Sequence, residues 1–126
     1  MNGAVSLPRA FAGFTQQWAP RIVGRYEGHE IRIARVQGAF DWHRHPHDEL
    51  FYVIEGSLVV EFRDRTERLA AGDLLVVPAG TEHRPVAAEG EAKLLLMDPA
   101  GSPNTGDAAT ATPAVPLPRT DPKALP

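Results

Sequence analysis

The sequence has no cysteine among its 126 residues, and this absence removes several kinds of chemistry at once. Disulfide bonds, thiolate catalysis, zinc ribbons and iron–sulfur clusters all require cysteine and are therefore excluded. A small domain without disulfides must be stabilised by its hydrophobic core, by a bound metal or by a partner subunit.

Long apolar runs and basic clusters are also absent. The longest apolar runs, such as Leu94–Met97, have four or five residues, whereas a membrane-spanning helix needs roughly 20. The formal net charge is −3, and the basic residues are scattered among acidic ones. These features predict a protein that binds neither membranes nor nucleic acids. The first 14 residues lack the basic stretch and apolar run of a secretory signal, which predicts a cytoplasmic protein.

Composition predicts three segments along the chain. Residues 99–126 hold seven of the twelve prolines and no aromatic residue. Because proline can neither donate to a strand ladder nor continue a helix, we expect an extended tail there. A folded domain is predicted over residues 21–98, preceded by a helical cap segment over residues 1–20.

Within that first segment, apolar side chains recur at helical spacing. Phe11, Phe14 and Trp18 fall on one face of a helix that would run from Pro8 to Trp18, with proline early in its first turn. We expect this short helix to cap one end of the folded domain.

The middle of the chain is typical of short strands separated by glycine-containing turns. Leu58, Val60 and Phe62 alternate with other residues, and Ile31 and Ile33 share one face of HEIRIARV. Such alternation places one face of a strand in a core and the other in solvent. About eight strands predict an all-β antiparallel sandwich or barrel. The predicted strands are Arg21–Tyr26, His29–Val36, Phe40–His45, Glu49–Glu55, Leu58–Arg63, Asp73–Val77, Glu82–Val86 and Ala92–Met97.

Histidine, the commonest metal ligand, is concentrated in one place. Three of the five histidines lie within DWHRHPHDE, and His83 follows farther along the chain. His43 and His45 are two residues apart and would point to the same face of a strand. Glu49 would point inward from the next strand, where a buried carboxylate needs a charged partner or a metal. Without a metal, that partner would be Arg44 or Arg84.

The first stretch resembles the first motif of the cupin superfamily. That motif has two histidines separated by one residue, a glutamate three or four residues later, and a glycine after six more. His43, His45, Glu49 and Gly56 satisfy every interval.

The second stretch resembles the second cupin motif, in which glycine, proline, glycine and histidine are separated by five, one and two residues. Gly72, Pro78, Gly80 and His83 satisfy these intervals, and 15 residues separate the two motifs. Two departures fall outside the predicted ligands. Gly38 lies one residue closer to the first histidine than the family pattern asks, and Ala87 stands where the pattern has asparagine.

The resemblance implies a jelly-roll β-barrel with a metal ion inside. By the family motifs, the ligands would be His43, His45, Glu49 and His83, which would leave two open positions on an octahedral ion. Fe, Mn, Ni and Co would use those positions for substrate, dioxygen or water, whereas Zn favours a closed four-coordinate site.

Three functions follow from this resemblance. The first is a small-molecule metalloenzyme, similar to cupin dioxygenases or isomerases, with a pocket walled by Phe51, Val60 and Phe62. His47 fits the ligand intervals poorly, and we predict it at the barrel mouth as a catalytic acid or base. The second is a metal-dependent binding module for a small ligand, and in the third the metal only stabilises the fold. Cupins commonly cover their open sheet edges by dimerising. By this analogy we also expect a homodimer.

Overall fold

The computed structural model describes residues 3–103 and the backbone of residues 115–116. Within that part of the chain, no helix is long and apolar enough to cross a membrane. The elements are α1 (Leu7–Ala12), β1 (Arg21–Tyr26), β2 (His29–Ala39), β3 (Glu49–Glu55), β4 (Ser57–Phe62), β5 (Thr66–Ala70), β6 (Leu74–Val77), β7 (His83–Pro99) and β8 (Val115–Pro116).

The strands form an antiparallel barrel organised around β7. This 17-residue strand pairs antiparallel with β2, β3 and β4. Along one path the strand order is β5-β4-β7-β2-β1-β8, and β3 joins β6 to β7. Apolar side chains meet inside the barrel, including the fully buried Val53, Val60 and Leu94. The predicted all-β antiparallel jelly-roll barrel is confirmed.

One predicted strand is absent from the structure, and one observed strand was missed. Phe40–His45 is irregular and makes only an isolated bridge between His43 and His83, so the prediction of a strand there is wrong. Pro46, which follows this segment, cannot donate to a ladder. In addition, β5 was not predicted because its sequence TERLA buries only Leu69.

The prediction of separate strands over Glu82–Val86 and Ala92–Met97 is also wrong. Both lie within β7, which passes through Gly90 at a positive φ of 104°. The strand stays continuous because β2 pairs with it on both sides of Gly90, while β4 pairs with its first part and β3 with its second part.

The N-terminal helix is shorter than predicted and occupies a different place. It ends at Ala12, and Phe11 and Phe14 pack with Val23 and Ile33. Ile33 points away from the barrel interior, because Ala34 and Val36 belong to the interior cluster and neighbouring residues alternate faces. The helix therefore covers the outer face of β1 and β2. One face of β2 thus packs in the barrel interior and the other packs against the helix.

Most of the predicted extended tail lies outside the described residues. The exceptions are residues 99–103, in which Pro99 ends β7 and Ser102 contacts Arg32, and β8, which pairs parallel with the start of β1. Its position at the sheet edge is compatible with Pro116, because proline is tolerated in edge strands. The proposed division into residues 1–20, 21–98 and 99–126 stays a prediction.

Candidate metal centre

Three parts of the chain bring the predicted ligands together. His43 and His45 lie in the irregular segment after β2, Glu49 begins β3 and His83 begins β7. Paired backbone hydrogen bonds of 3.0 and 2.9 Å join His43 and His83. The amide of Gly80 donates to the carbonyl of His45 at 2.7 Å, which fixes this segment against the turn before β7.

The four side chains converge on one volume inside the barrel. One nitrogen or oxygen atom from each of them lies within 4.8 Å of the corresponding atoms of the other three. Glu49 Oε1 is 3.4 Å from His45 Nε2 and 3.5 Å from His83 Nε2. His45, Glu49 and His83 are buried, and His43 is half-buried.

Backbone carbonyls orient two of the imidazole rings. His43 Nδ1 lies 2.8 Å from the carbonyl oxygen of Asp41, and His83 Nδ1 lies 2.8 Å from that of Thr81. A carbonyl only accepts, so each Nδ1 carries the hydrogen and leaves Nε2 with a free lone pair. This arrangement is common among metal-binding histidines.

Several ring nitrogens at the centre are buried without a hydrogen-bond partner. They are Nε2 of His83 and both ring nitrogens of His45. Buried polar atoms are nearly always satisfied, so unsatisfied ones call for an explanation. A cation bound between Glu49 and the Nε2 atoms would satisfy the facing lone pairs, and the residues present therefore fit a divalent metal ion.

The local electrostatics favour the protonation states that a metal requires. The pKa of His43 is lowered to about 4, chiefly by burial and in smaller part by the neighbouring His83 and His45. Burial opposes the ionisation of Glu49, but its contacts with His45 and His83 outweigh burial and hold its pKa below the usual range. A neutral imidazole and an ionised carboxylate are the forms that bind metals.

His47 lies beside the four-residue cluster rather than within it. Its ring stacks on that of His45, with centroids 5.0 Å apart. Its Nδ1 is 2.9 Å from the carbonyl oxygen of Asp48 and 3.9 Å from Asp98 Oδ1. This half-buried position leaves the predicted acid or base role of His47 a prediction.

A pocket adjoins the cluster at His43 and Glu49. Its volume is about 430 Å³, including the space at its mouth that is open to solvent. Phe51 lines this pocket as predicted, whereas Val60 and Phe62 lie in the barrel core. The other residues around the pocket are mostly apolar: Trp18, Pro20, Ala34, Val36, Phe40, Pro85, Leu94, Leu96 and Asp98.

Trp18 and Asp98 were not predicted as pocket residues. Asp98 could have been found by parity, because it shares a strand face with Leu94 and Leu96. No sequence signal indicated that Trp18 lines the pocket, because its spacing with Phe11 and Phe14 predicted a position on the apolar face of a helix. It instead follows α1 with a positive φ of 57° and turns toward the barrel.

A second polar cluster lies deeper in the barrel. Arg32 is 1% exposed, and its guanidinium contacts Glu30 at 2.7 Å and Asp98 at 3.5 Å. It also donates to the carbonyl oxygen of Ser102 at 2.8 Å. This cluster was not predicted, because the alternation in HEIRIARV suggested that Arg32 faces solvent.

The two arginines considered as partners for Glu49 lie elsewhere. Arg84 pairs with Glu61 at 2.6 Å, and Arg44 is exposed. His29 is also exposed, with its Nδ1 3.0 Å from the carbonyl oxygen of Glu27. Among the described side chains, the titratable groups that face Glu49 are therefore histidines and Asp98.

Comparison with known proteins agrees with this small antiparallel barrel. The family model for the cupin domain matches residues 31–98, which is more than half of the chain. The chain therefore belongs to the cupin superfamily.

Curated relatives match only part of the chain. It is 45% identical over 64 residues to the uncharacterized protein YdbB of Bacillus subtilis, covering 49% of this chain and 57% of that protein. It is 31% identical over 70 residues to acireductone dioxygenase of Yarrowia lipolytica, covering 52% of this chain and 39% of that protein. The matched regions thus span about half the length of these relatives or less.

A solved structure matches more completely. A cupin-2 domain protein from Shewanella frigidimarina has a TM-score of 0.73 and 38% sequence identity, and the match covers 75% of this chain and 93% of that one. The similarity extends beyond the two motifs to the whole barrel.

Proposed function

We propose that this cupin binds one divalent metal ion and uses it to bind and transform a small oxygen-bearing molecule. The proposed ligands are His43, His45, Glu49 and His83. The observation that carries the proposal is the approach of all four ligand atoms to within 4.8 Å, with buried imidazole nitrogens left unsatisfied.

When bound, the ion would supply Lewis acidity or, in the case of iron, oxygen activation. The chain contributes the rest. The carbonyls of Asp41 and Thr81 orient two imidazoles, and the mostly apolar pocket lies against His43 and Glu49. His47 is proposed as an acid or base that acts next to His45, although its ring lies outside the pocket lining.

Similarity to a dioxygenase supports an oxygen-dependent reaction over an isomerase-like one. The supporting match covers 39% of that enzyme, so its own substrate is not transferred to this chain. One observation favours the alternative of a non-enzymatic binding module. Apart from the proposed ligand His43, the described pocket lining contains no histidine or lysine that could serve as a base.

Elemental analysis tests the metal site directly. Protein purified without a metal-affinity column is expected to contain about one ion per chain. Replacing both His45 and His83 with alanine should remove it, because half of the proposed ligand set is lost. The matched control is His29→Ala, which removes an exposed histidine and should retain the ion. Equal metal content in all three proteins would overturn the proposal.

Oxygen uptake separates the enzyme from the binding module. Iron-loaded protein would be mixed with a catechol or a β-diketone, and both oxygen consumption and product would be followed. Consumption that disappears in the double alanine variant supports the enzyme. Saturable binding without product supports the binding module.

We further propose that the protein forms a homodimer in the cytoplasm. In the described part of the chain, β6 pairs only with β3, and its Leu74 and Val76 are 61% and 47% exposed. Open strand edges with exposed apolar residues promote pairing. Light scattering coupled to chromatography should give about twice the mass of one chain, and a one-chain mass would overturn the dimer.

A further inference from the structure

Trp18 lies outside the region that the cupin family model matches, yet it reaches the pocket. Its φ of 57° is uncommon for a bulky side chain. Such a conformation persists only where the surroundings hold it, and it occurs preferentially at functional sites.

Two hydrogen bonds to β2 hold Trp18 in this conformation. Its backbone amide donates to the carbonyl oxygen of Arg35 at 2.8 Å, and its indole Nε1 donates to that of Gln37 at 2.9 Å. Because both polar groups are satisfied by the backbone of one strand, the ring is fixed in place as a rigid wall.

Aromatic contacts connect Trp18 to the candidate metal centre. Its ring stacks on Phe40 with centroids 4.9 Å apart and an angle of 25° between the planes. The edge of Phe40 in turn meets His43, with centroids 5.2 Å apart. A chain of aromatic contacts therefore runs along the pocket from Trp18 through Phe40 to one of the proposed ligands.

The charges around the pocket restrict what can bind. No lysine or arginine occurs in its lining as described, and its acidic groups are Glu49 and Asp98. A phosphate or a second carboxylate on the ligand would find no cation there. A sugar would place several hydroxyl groups against apolar walls, where unpaired polar groups are costly.

We propose that Trp18 is the specificity-determining wall of the pocket and selects a small planar ligand, aromatic or conjugated, with adjacent oxygen donors. The inference rests on the proposed function, because the oxygen donors require the metal ion. The planar body stacks on the Trp18 ring where that ring lines the pocket, and stacking favours flat rings over saturated rings of similar size.

Hydroxamates provide matched probes, because they share one chelating group and differ in the attached body. Benzohydroxamate carries a flat ring, cyclohexanecarbohydroxamate a saturated ring, and acetohydroxamate a methyl group. Titration calorimetry on the cobalt-loaded full chain should show benzohydroxamate binding about three- to tenfold more tightly than the cyclohexane compound, as expected for one aromatic contact.

Variants at position 18 then test the residue. Asparagine tolerates the left-handed backbone better than most residues, so Trp18→Asn removes the ring with little added strain. It should abolish the preference for the planar probe while leaving the cobalt content and the acetohydroxamate affinity unchanged. Trp18→Phe should restore part of the preference.

The outcomes separate this inference from the proposed function. If the wild-type chain binds no cobalt, or binds none of the hydroxamates, both the proposed function and the role of Trp18 are overturned. Normal cobalt content with equal affinity for the flat and saturated probes would overturn only the role of Trp18. That role would also be overturned if Trp18→Asn kept the full preference for the planar probe.

Discussion

Two clusters of polar side chains are buried in this barrel, one around Arg32 and one around Glu49. The guanidinium of Arg32 is surrounded by acceptors from the protein itself, namely Glu30, Asp98 and Ser102. Around Glu49, by contrast, imidazole nitrogens face each other without hydrogen-bond partners.

This difference distinguishes a structural cluster from a candidate binding site. Burying a charge is costly, so a cluster that only stabilises the fold must supply its own partners. The cluster around Glu49 lacks some of those partners and fits a cation from outside. Asp98 connects the two clusters, because it lies 3.5 Å from Arg32 and the charge of Glu49 contributes, after burial, to raising its pKa.

Removing the charge of Arg32 should have the largest effect on stability. In Arg32→Met, Glu30 loses its close partner inside the barrel, and breaking a buried pair in this way costs about 3–5 kcal/mol. Urea denaturation of the metal-free protein measures the loss. The matched control is Arg68→Met on β5, where the side chain is exposed and the expected change is within about 0.5 kcal/mol. Similar losses in both variants would contradict a special role for the Arg32 cluster.

Metal ions should stabilise the other cluster. A divalent ion at 100 times its dissociation constant should raise the free energy of unfolding by about 2.7 kcal/mol, because it binds only the folded chain. Thermal unfolding with and without the ion measures this increment. His83→Ala should lose it, whereas His29→Ala should keep it. An increment that survives in His83→Ala would place the ion elsewhere.

The sequence predicted these two clusters unequally. The intervals among His43, His45, Glu49 and His83 indicated the candidate centre, because motif spacing survives errors in the predicted strands. The segment carrying the first two histidines is in fact irregular, and its bridge to His83 brings the rings together.

Arg32 could not be predicted from alternation alone. Period-2 spacing shows that Ile31 and Ile33 share a face, but it does not say which face of the strand points into the barrel. Here α1 covers the isoleucine face from outside, so Arg32 faces the interior. Only the tertiary position of the helix decides between the two assignments.

Acid should destabilise the metal-free centre. The pKa of His43 is about 4 in the folded protein, against about 6.5 in an unfolded chain. The unfolded state therefore binds more protons between these values, and the stability falls as the pH falls from about 6.5 to 4. Urea midpoints at several pH values measure this slope. His43→Gln should flatten it, and the control His29→Gln should not; an unchanged slope in His43→Gln would contradict the assignment.

Asp98→Asn decides to which cluster Asp98 belongs. Burial raises the pKa of Asp98 well above its usual range, and the charge of Glu49 raises it further, although Arg32 opposes them. A raised pKa means that the folded protein keeps a proton that the unfolded chain releases above about pH 3.9, so the stability falls as the pH rises from there. Asparagine removes this dependence, and urea denaturation at pH 7 and 9 should show the variant gaining relative to the wild type. A loss as large as that of Arg32→Met would instead make Asp98 an ionised partner of Arg32.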